Sequence, residues 1–140
     1  MSINFHFLQP ITLLQRRKLK LFLTELASSE KTQLDRLDII FCSDDYLLNI
    51  NKSFLNHDYF TDIITFDLTP PKTSAIIGEI YISVDRIISN AQDFNTSIKE
   101  ECHRVIFHGL LHLCGYKDKK KEEKSRMTKK ENEYLSKYFY

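Results

Sequence analysis

Apolar and polar residues alternate over 3–7 (INFHF), 37–41 (LDIIF) and 76–82 (IIGEIYI), the two-residue period of a half-buried β-strand. Residues 61–66 (TDIITF) supply a fourth strand. Between and beyond them the period lengthens. Leu19, Phe22, Leu23 and Leu26 fall at helical spacing behind Thr12-x-x-Gln15, which reads as a capping box. Ser43 can cap a short helix whose first turn holds Asp44 and Asp45, and Ser83 one carrying Val84, Ile87, Ile88 and Ala91. Ser97-x-x-Glu100 opens a helix running to about Cys114, where Gly115 suits the left-handed residue after a helix end. A last helix over about 121–138 places Met127, Tyr134, Leu135 and Tyr138 on one face. Loops fall at 55–60 and around Pro70 and Pro71, while Gly78 inside its strand marks a bulge or a close backbone approach. The pattern predicts an α+β fold: one domain over 1–140, a mixed sheet of about four strands packed with about five helices.

Composition narrows the class. The 140 residues are 42% hydrophobic and 28% charged, enough for one domain with a core. No apolar stretch approaches the roughly 20 residues of a membrane helix, and MSINFHFLQP lacks the marks of a secretory signal. Cys42, Cys102 and Cys114 are odd in number and form no C-x-x-C pair, as expected of free thiols in a reducing cytoplasm. Net charge is +1, yet residues 117–140 carry 9 Lys and Arg against 5 Asp and Glu. Glu122, Glu123 and Glu131 interleave with those cations, which reads as a solvated helix face with i,i+4 pairs.

The chemistry concentrates at His108-Gly-Leu-Leu-His112. Histidines four apart differ by about 40° around a helix, so both rings leave the same face and can meet one metal ion. Their setting is apolar, and two buried neutral imidazoles each need a partner that a shared cation supplies. Gly115 lets the chain turn back, and Asp118 follows as a third donor. Two histidines and a carboxylate leave a fourth position open, the arrangement of a catalytic zinc, one per chain. Cys114 lies roughly 200° around the helix from His112, and it and Cys102 read as core packing. The metalloprotease pattern H-E-x-x-H needs a Glu where this chain has Gly109, so no separate general base stands beside the ligands.

The segment His108-Gly-Leu-Leu-His112-Leu-Cys-Gly115-Tyr116-Lys-Asp118 resembles the signature of the YbeY-type endoribonucleases, H-G-x-L-H-L-x-G-Y-D-H. Asn51, Phe54 and Asp58 followed by Thr61-Asp62-Ile63-Ile64-Thr65-Phe66 are similar to another block of that family, and Gly78-Glu79-Ile80-Tyr81-Ile82-Ser83 to a third. Glu101 falls where the family often has an acidic residue. The resemblance implies a zinc-dependent, single-strand-specific endoribonuclease acting on ribosomal RNA. It also implies maturation of the small-subunit rRNA 3′ end and ribosome quality control, with the small subunit as partner and neither membrane nor DNA expected. Two positions depart from the family. Asp118 stands where the third ligand is usually His, beside Lys117 where the family has Asp, and Leu55 stands where an Arg is expected. Asp keeps a hard anionic donor. Without the Arg, His57, Lys52 or the Lys-rich tail must handle the substrate.

Other residues carry weaker expectations. Asp62 either orients a ligand histidine or makes an edge-strand hydrogen bond. Alternation turns Glu79 outward, with a substrate-facing position as the other reading. Glu101 shares the stripe of Val105, His108 and His112, and His103, about 140° from His108, is expected to face solvent. Asn56 and His57 fit a turn. A three-ligand open zinc site also serves a metallopeptidase or amidohydrolase, and a structural metal would suit a non-catalytic ribosome-assembly factor.

Overall fold

The computed structural model describes residues 1–57 and 61–140, and its elements follow the expected order. They are β1 (Ser2–Phe7), α1 (Arg16–Ser29), β2 (Leu34–Cys42), α2 (Asp44–Leu55), β3 (Ile63–Asp67), β4 (Ile76–Ser83), α3 (Val84–Asp93), α4 (Ile98–Leu113) and α5 (Lys121–Phe139). The strands form one mixed sheet in the order β1-β2-β4-β3. β1, β2 and β4 run parallel, with Ile39 paired to Phe5 on one side and Ile80 on the other, and β3 returns antiparallel to β4.

Strand alternation decides which helix covers which face. Leu37, Ile39, Ile80 and Ile82 join the main core with Leu19 and Leu23 of α1, Phe107 and Leu111 of α4, and Met127 and Leu135 of α5. The intervening residues Ile64, Phe66 and Tyr81 meet Leu47 and Ile50 of α2 in a smaller cluster on the opposite face. Helix α4 is therefore central and buried nearly all round, from Glu101 to Leu113. It lies close on the sheet. A Cβ at Gly109 would come within 2.9 Å of both Ile63 and Ile80, and one at Gly78 within 2.6 Å of Leu113. Gly78 thus marks a close approach; the sheet's irregular register falls between Leu34 and Arg36.

Local signals mostly hold. Ser43, Ser83 and Ser97 accept the backbone N–H of Tyr46, Arg86 and Glu100 at 3.1, 3.2 and 3.0 Å. Three expectations need correction. Thr12 caps nothing: Gln15 adopts φ 52°, ψ 48° and α1 starts at Arg16, with Leu13 before it drawn into the main core. His103 does not face solvent. It is 3% exposed, since α5 crosses α4 and stacks Tyr138 on its ring at 5.1 Å, while Nδ1 meets the Lys99 carbonyl at 2.7 Å. Burial accordingly pushes the His103 imidazole below its ordinary pKa. Of the loop expected over 55–60, Leu55 closes α2 and Asn56 turns at φ 56°; Asp58 lies outside the described residues.

Candidate metal centre

Helix α4 ends in a geometry that its sequence dictates. Gly115, at φ 105°, takes the left-handed position, the Tyr116 N–H donates to the Leu111 carbonyl, and the Gly115 N–H donates to that of His112, both at 3.0 Å. This Schellman turn reverses the chain and delivers Asp118 to the histidine face. The His108 and His112 Nε2 atoms lie 3.0 Å apart, and Asp118 Oδ2 is 3.2 Å from each. Ligands on one tetrahedral zinc, with bonds of about 2.0–2.1 Å, are separated by roughly 3.3 Å. The predicted trio is thus brought together at nearly the spacing a shared ion requires, with the donor side chains 20–37% exposed on a cleft.

The tautomers support that fit. His112 Nδ1 meets the Tyr116 carbonyl at 2.9 Å, an acceptor only, so Nδ1 carries the proton. His108 Nδ1 meets Glu131 Oε2 at 2.6 Å and donates likewise to a carboxylate. In the neutral rings both Nε2 lone pairs then face each other and a carboxylate oxygen. Three electron-rich atoms at one point repel unless a cation or proton sits among them. Burial pushes the His108 imidazole down, but the hydrogen bond and charge of Glu131, followed by Asp118 and Asp62, carry it above its ordinary pKa.

Glu131 corrects the solvated reading of its helix. It is 7% exposed and bridges His108 to Arg104, whose Nη1 lies 3.1 Å from Oε1; Arg104 Nη2 continues to Asn132 at 2.8 Å. The signal was present in the spacing, because 127, 131, 134, 135 and 138 form one helical stripe and Glu131 is its polar member. The role of orienting a donor histidine, one reading of Asp62, falls to Glu131. Asp62 stands half-buried at the entry to β3, where burial raises its carboxyl pKa and the charge of His108 pulls it back in part. Glu101 is 4% exposed, and burial pushes it up to about 7 despite Arg104, with Asp62, Glu131 and Glu100 adding to the rise. Glu79 lies away from the donors and accepts from the Tyr81 hydroxyl at 3.1 Å.

In front of the donors opens a cleft of about 620 Å³ lined by Asn51, Leu55, His57, Thr65, Asp67 and Lys119 among others. His57 is therefore beside the site, whereas Lys52 lies exposed on α2 outside this lining. Leu55 occupies the wall, and Lys119 is the one permanent cation among the described lining residues. Behind α4, Glu30 at the end of α1 accepts from the hydroxyls of Tyr116, at 2.7 Å, and Tyr134, and pairs with Lys130 at 3.3 Å. Those contacts fasten the turn that carries Asp118 to α1 and α5. Cys42 and Cys102 are buried thiols pushed up to about 12, and Cys114 packs half-buried against the core. No described helix is long and apolar enough to cross a membrane.

A mixed sheet, with a two-histidine, one-carboxylate donor set on a helix and its returning turn that could hold a metal, defines the class as an α+β protein with a metal-capable site. The family model described as Endoribonuclease YbeY matches residues 9–139, so the chain belongs to the YbeY family. A relative named Endoribonuclease YbeY from Cytophaga hutchinsonii is 51% identical over 122 residues, covering 87% of this chain and 85% of that one. One of the same name from Flavobacterium johnsoniae is 42% identical over 134 residues, covering 96% and 95%. The solution structure of TM1509 from Thermotoga maritima superposes with a TM-score of 0.65 at 26% identity, over 99% of this chain and 89% of that one.

Proposed function

We propose that the chain is one metal-dependent hydrolase domain over 1–140, a zinc endoribonuclease that cuts single-stranded RNA in ribosomal RNA processing. His108, His112 and Asp118 are its metal ligands. Its work at the 3′ end of small-subunit rRNA, with the small subunit as partner in the cytoplasm, follows from the family. The observation that carries the reading is the convergence of two histidine Nε2 atoms and one carboxylate oxygen within 3.2 Å of one another. When bound there, zinc polarises a phosphoryl oxygen and lowers the pKa of a water towards about 7.

The chain's own residues supply the rest. Glu131 and the Tyr116 carbonyl hold each imidazole in the tautomer that leaves Nε2 free. Asp118 offsets cationic charge at the donor face. The front cleft admits an extended strand along β3 past Leu55 and His57, and Lys119 at its edge is placed to meet a phosphate. Leu55 removes the guanidinium clamp the family carries there, so phosphate handling shifts to His57 and Lys119.

Elemental analysis of purified protein alongside cleavage of a single-stranded RNA tests the reading. One zinc per chain and metal-dependent cutting are expected, both strongly reduced in Asp118→Ala. Metal-dependent cleavage retained in that variant, or cleavage of a fluorogenic peptide with RNA untouched, defeats it.

A further inference from the structure

A second pocket, of about 580 Å³, lies beside His108, between the C-terminal part of α3, the first two-thirds of α4 and the middle of α5. It shares Asp62 and His108 with the cleft, so a ligand filling it reaches the donor set. Its walls carry Asp62, Glu100, Glu101 and Glu131 against one guanidinium, Arg104, and that balance repels a phosphate. Most of this polarity is already spent. Glu131 is held by Arg104 and His108, Arg104 also by Asn132, and Glu100 accepts from the Thr96 hydroxyl.

Glu101 is the exception. It is 96% buried, lines the pocket, and makes no side-chain hydrogen bond or ion pair among the described residues. Its carboxyl oxygens open onto the pocket and are free to accept from a donor that enters it. At the rim Phe94, 68% exposed, offers a flat apolar face. A carboxylate lining the pocket below an exposed aromatic ring matches an unstacked nucleobase, its face on the ring and its edge on the carboxylate. Phosphates would remain outside.

We infer that this pocket receives a guanine of the RNA strand next to the cut, with Phe94 stacking on its face and the Glu101 carboxylate accepting N1–H and N2–H as a two-pronged pair. Guanine alone among the four bases presents two adjacent N–H donors on its Watson–Crick edge. Uracil places carbonyls either side of its single N–H, and adenine and cytosine each pair an amino group with a bare ring nitrogen. The inference rests on the endoribonuclease reading for the source of the base and adds a specificity-determining residue to it.

The test is a titration of the metal-loaded protein with guanosine, adenosine, cytidine and uridine, followed by amide NMR shifts around Phe94, Glu101 and Val105, with magnesium chloride as a separate probe. Guanosine should bind at least about 10-fold more tightly than the others. Glu101→Gln, which turns one acceptor into a donor, should erase that preference. Phe94→Ala, a surface change that folding tolerates, should weaken all four nucleosides by a similar factor. Equal binding of the four, a guanosine preference unchanged in Glu101→Gln, or shifts produced only by magnesium overturns the inference. Cutting of single-stranded RNA is read in parallel. Cleavage without guanosine binding removes only the pocket assignment, and guanosine binding without cleavage removes only the endoribonuclease reading.

Discussion

The two ends of α4 are built by different rules. At its C-terminus every donor of the candidate metal centre falls between residues 108 and 118, and one Schellman turn brings them together. Toward its N-terminus, Glu101, His103 and Arg104 take their surroundings from Asp62, Glu131 and Tyr138, elements distant in the chain. The first end is a local construction and the second a tertiary one. Local geometry places atoms at ligand spacing and, through the Tyr116 carbonyl, sets the His112 ring; packing is needed to bury the Glu101 side chain and to bring Glu131 to His108.

Breaking the local end should have the largest effect. His108→Ala or His112→Ala leaves two donors and should remove bound zinc and lower RNA cleavage by at least about 1,000-fold, read by elemental analysis and single-turnover kinetics. Asp118→Ala should weaken metal binding by about 100-fold, and Asp118→His should restore most of it, because a neutral imidazole at that turn is also a ligand. Breaking the tertiary support should cost less. Glu131→Gln leaves the donors in place but loosens the His108 tautomer, for a loss of about 10–100-fold in metal affinity by competition titration. Gly109→Ala tests the seat of the helix itself. Its Cβ meets Ile63 and Ile80 at 2.9 Å, so about 1–3 kcal/mol of stability should go, seen as a lower Tm.

The smallest effect is expected at Glu101. Its folded pKa of about 7 lies above the ordinary 4.5, so between those values the unfolded chain has released a proton that the folded one keeps. In metal-stripped protein the Glu101 contribution is thus greatest at acid pH, declines as pH rises from about 4.5 to 7, and is level above. Glu101→Gln should flatten that decline, on the order of 1 kcal/mol because the carboxyl faces an open pocket, measured by urea titration at several pH values.

That contrast explains how much was readable beforehand. Strand alternation, three serine caps and the histidine spacing are short-range patterns, and each corresponds to an observed element. Asp118 was accessible because the glycine after the helix announces the reversal. Glu131 was hidden by the charges around it: its interleaving with lysines mimics a solvated face, although its place in the Met127–Tyr138 stripe pointed inward. His103 was misread because a helical wheel gives angles, and α5 decides which angles meet water. Thr12 differs for a similar reason: its spacing to Gln15 matches a capping box, but burial of Leu13 in the core leaves Gln15 left-handed at the helix start.

The Glu131 contact has a consequence for the order of events in biosynthesis. His108, His112 and Asp118 all precede α5 in the chain, while the carboxylate that orients the first histidine lies within it, as does Tyr134, which helps anchor the turn through Glu30. A polypeptide growing from its N-terminus therefore completes its ligands before it completes their support. Until α5 has emerged and docked, His108 lacks the carboxylate that orients it and the turn lacks its Tyr134 anchor. The donor set therefore reaches its final geometry only with the last helix, as one of the closing acts of folding.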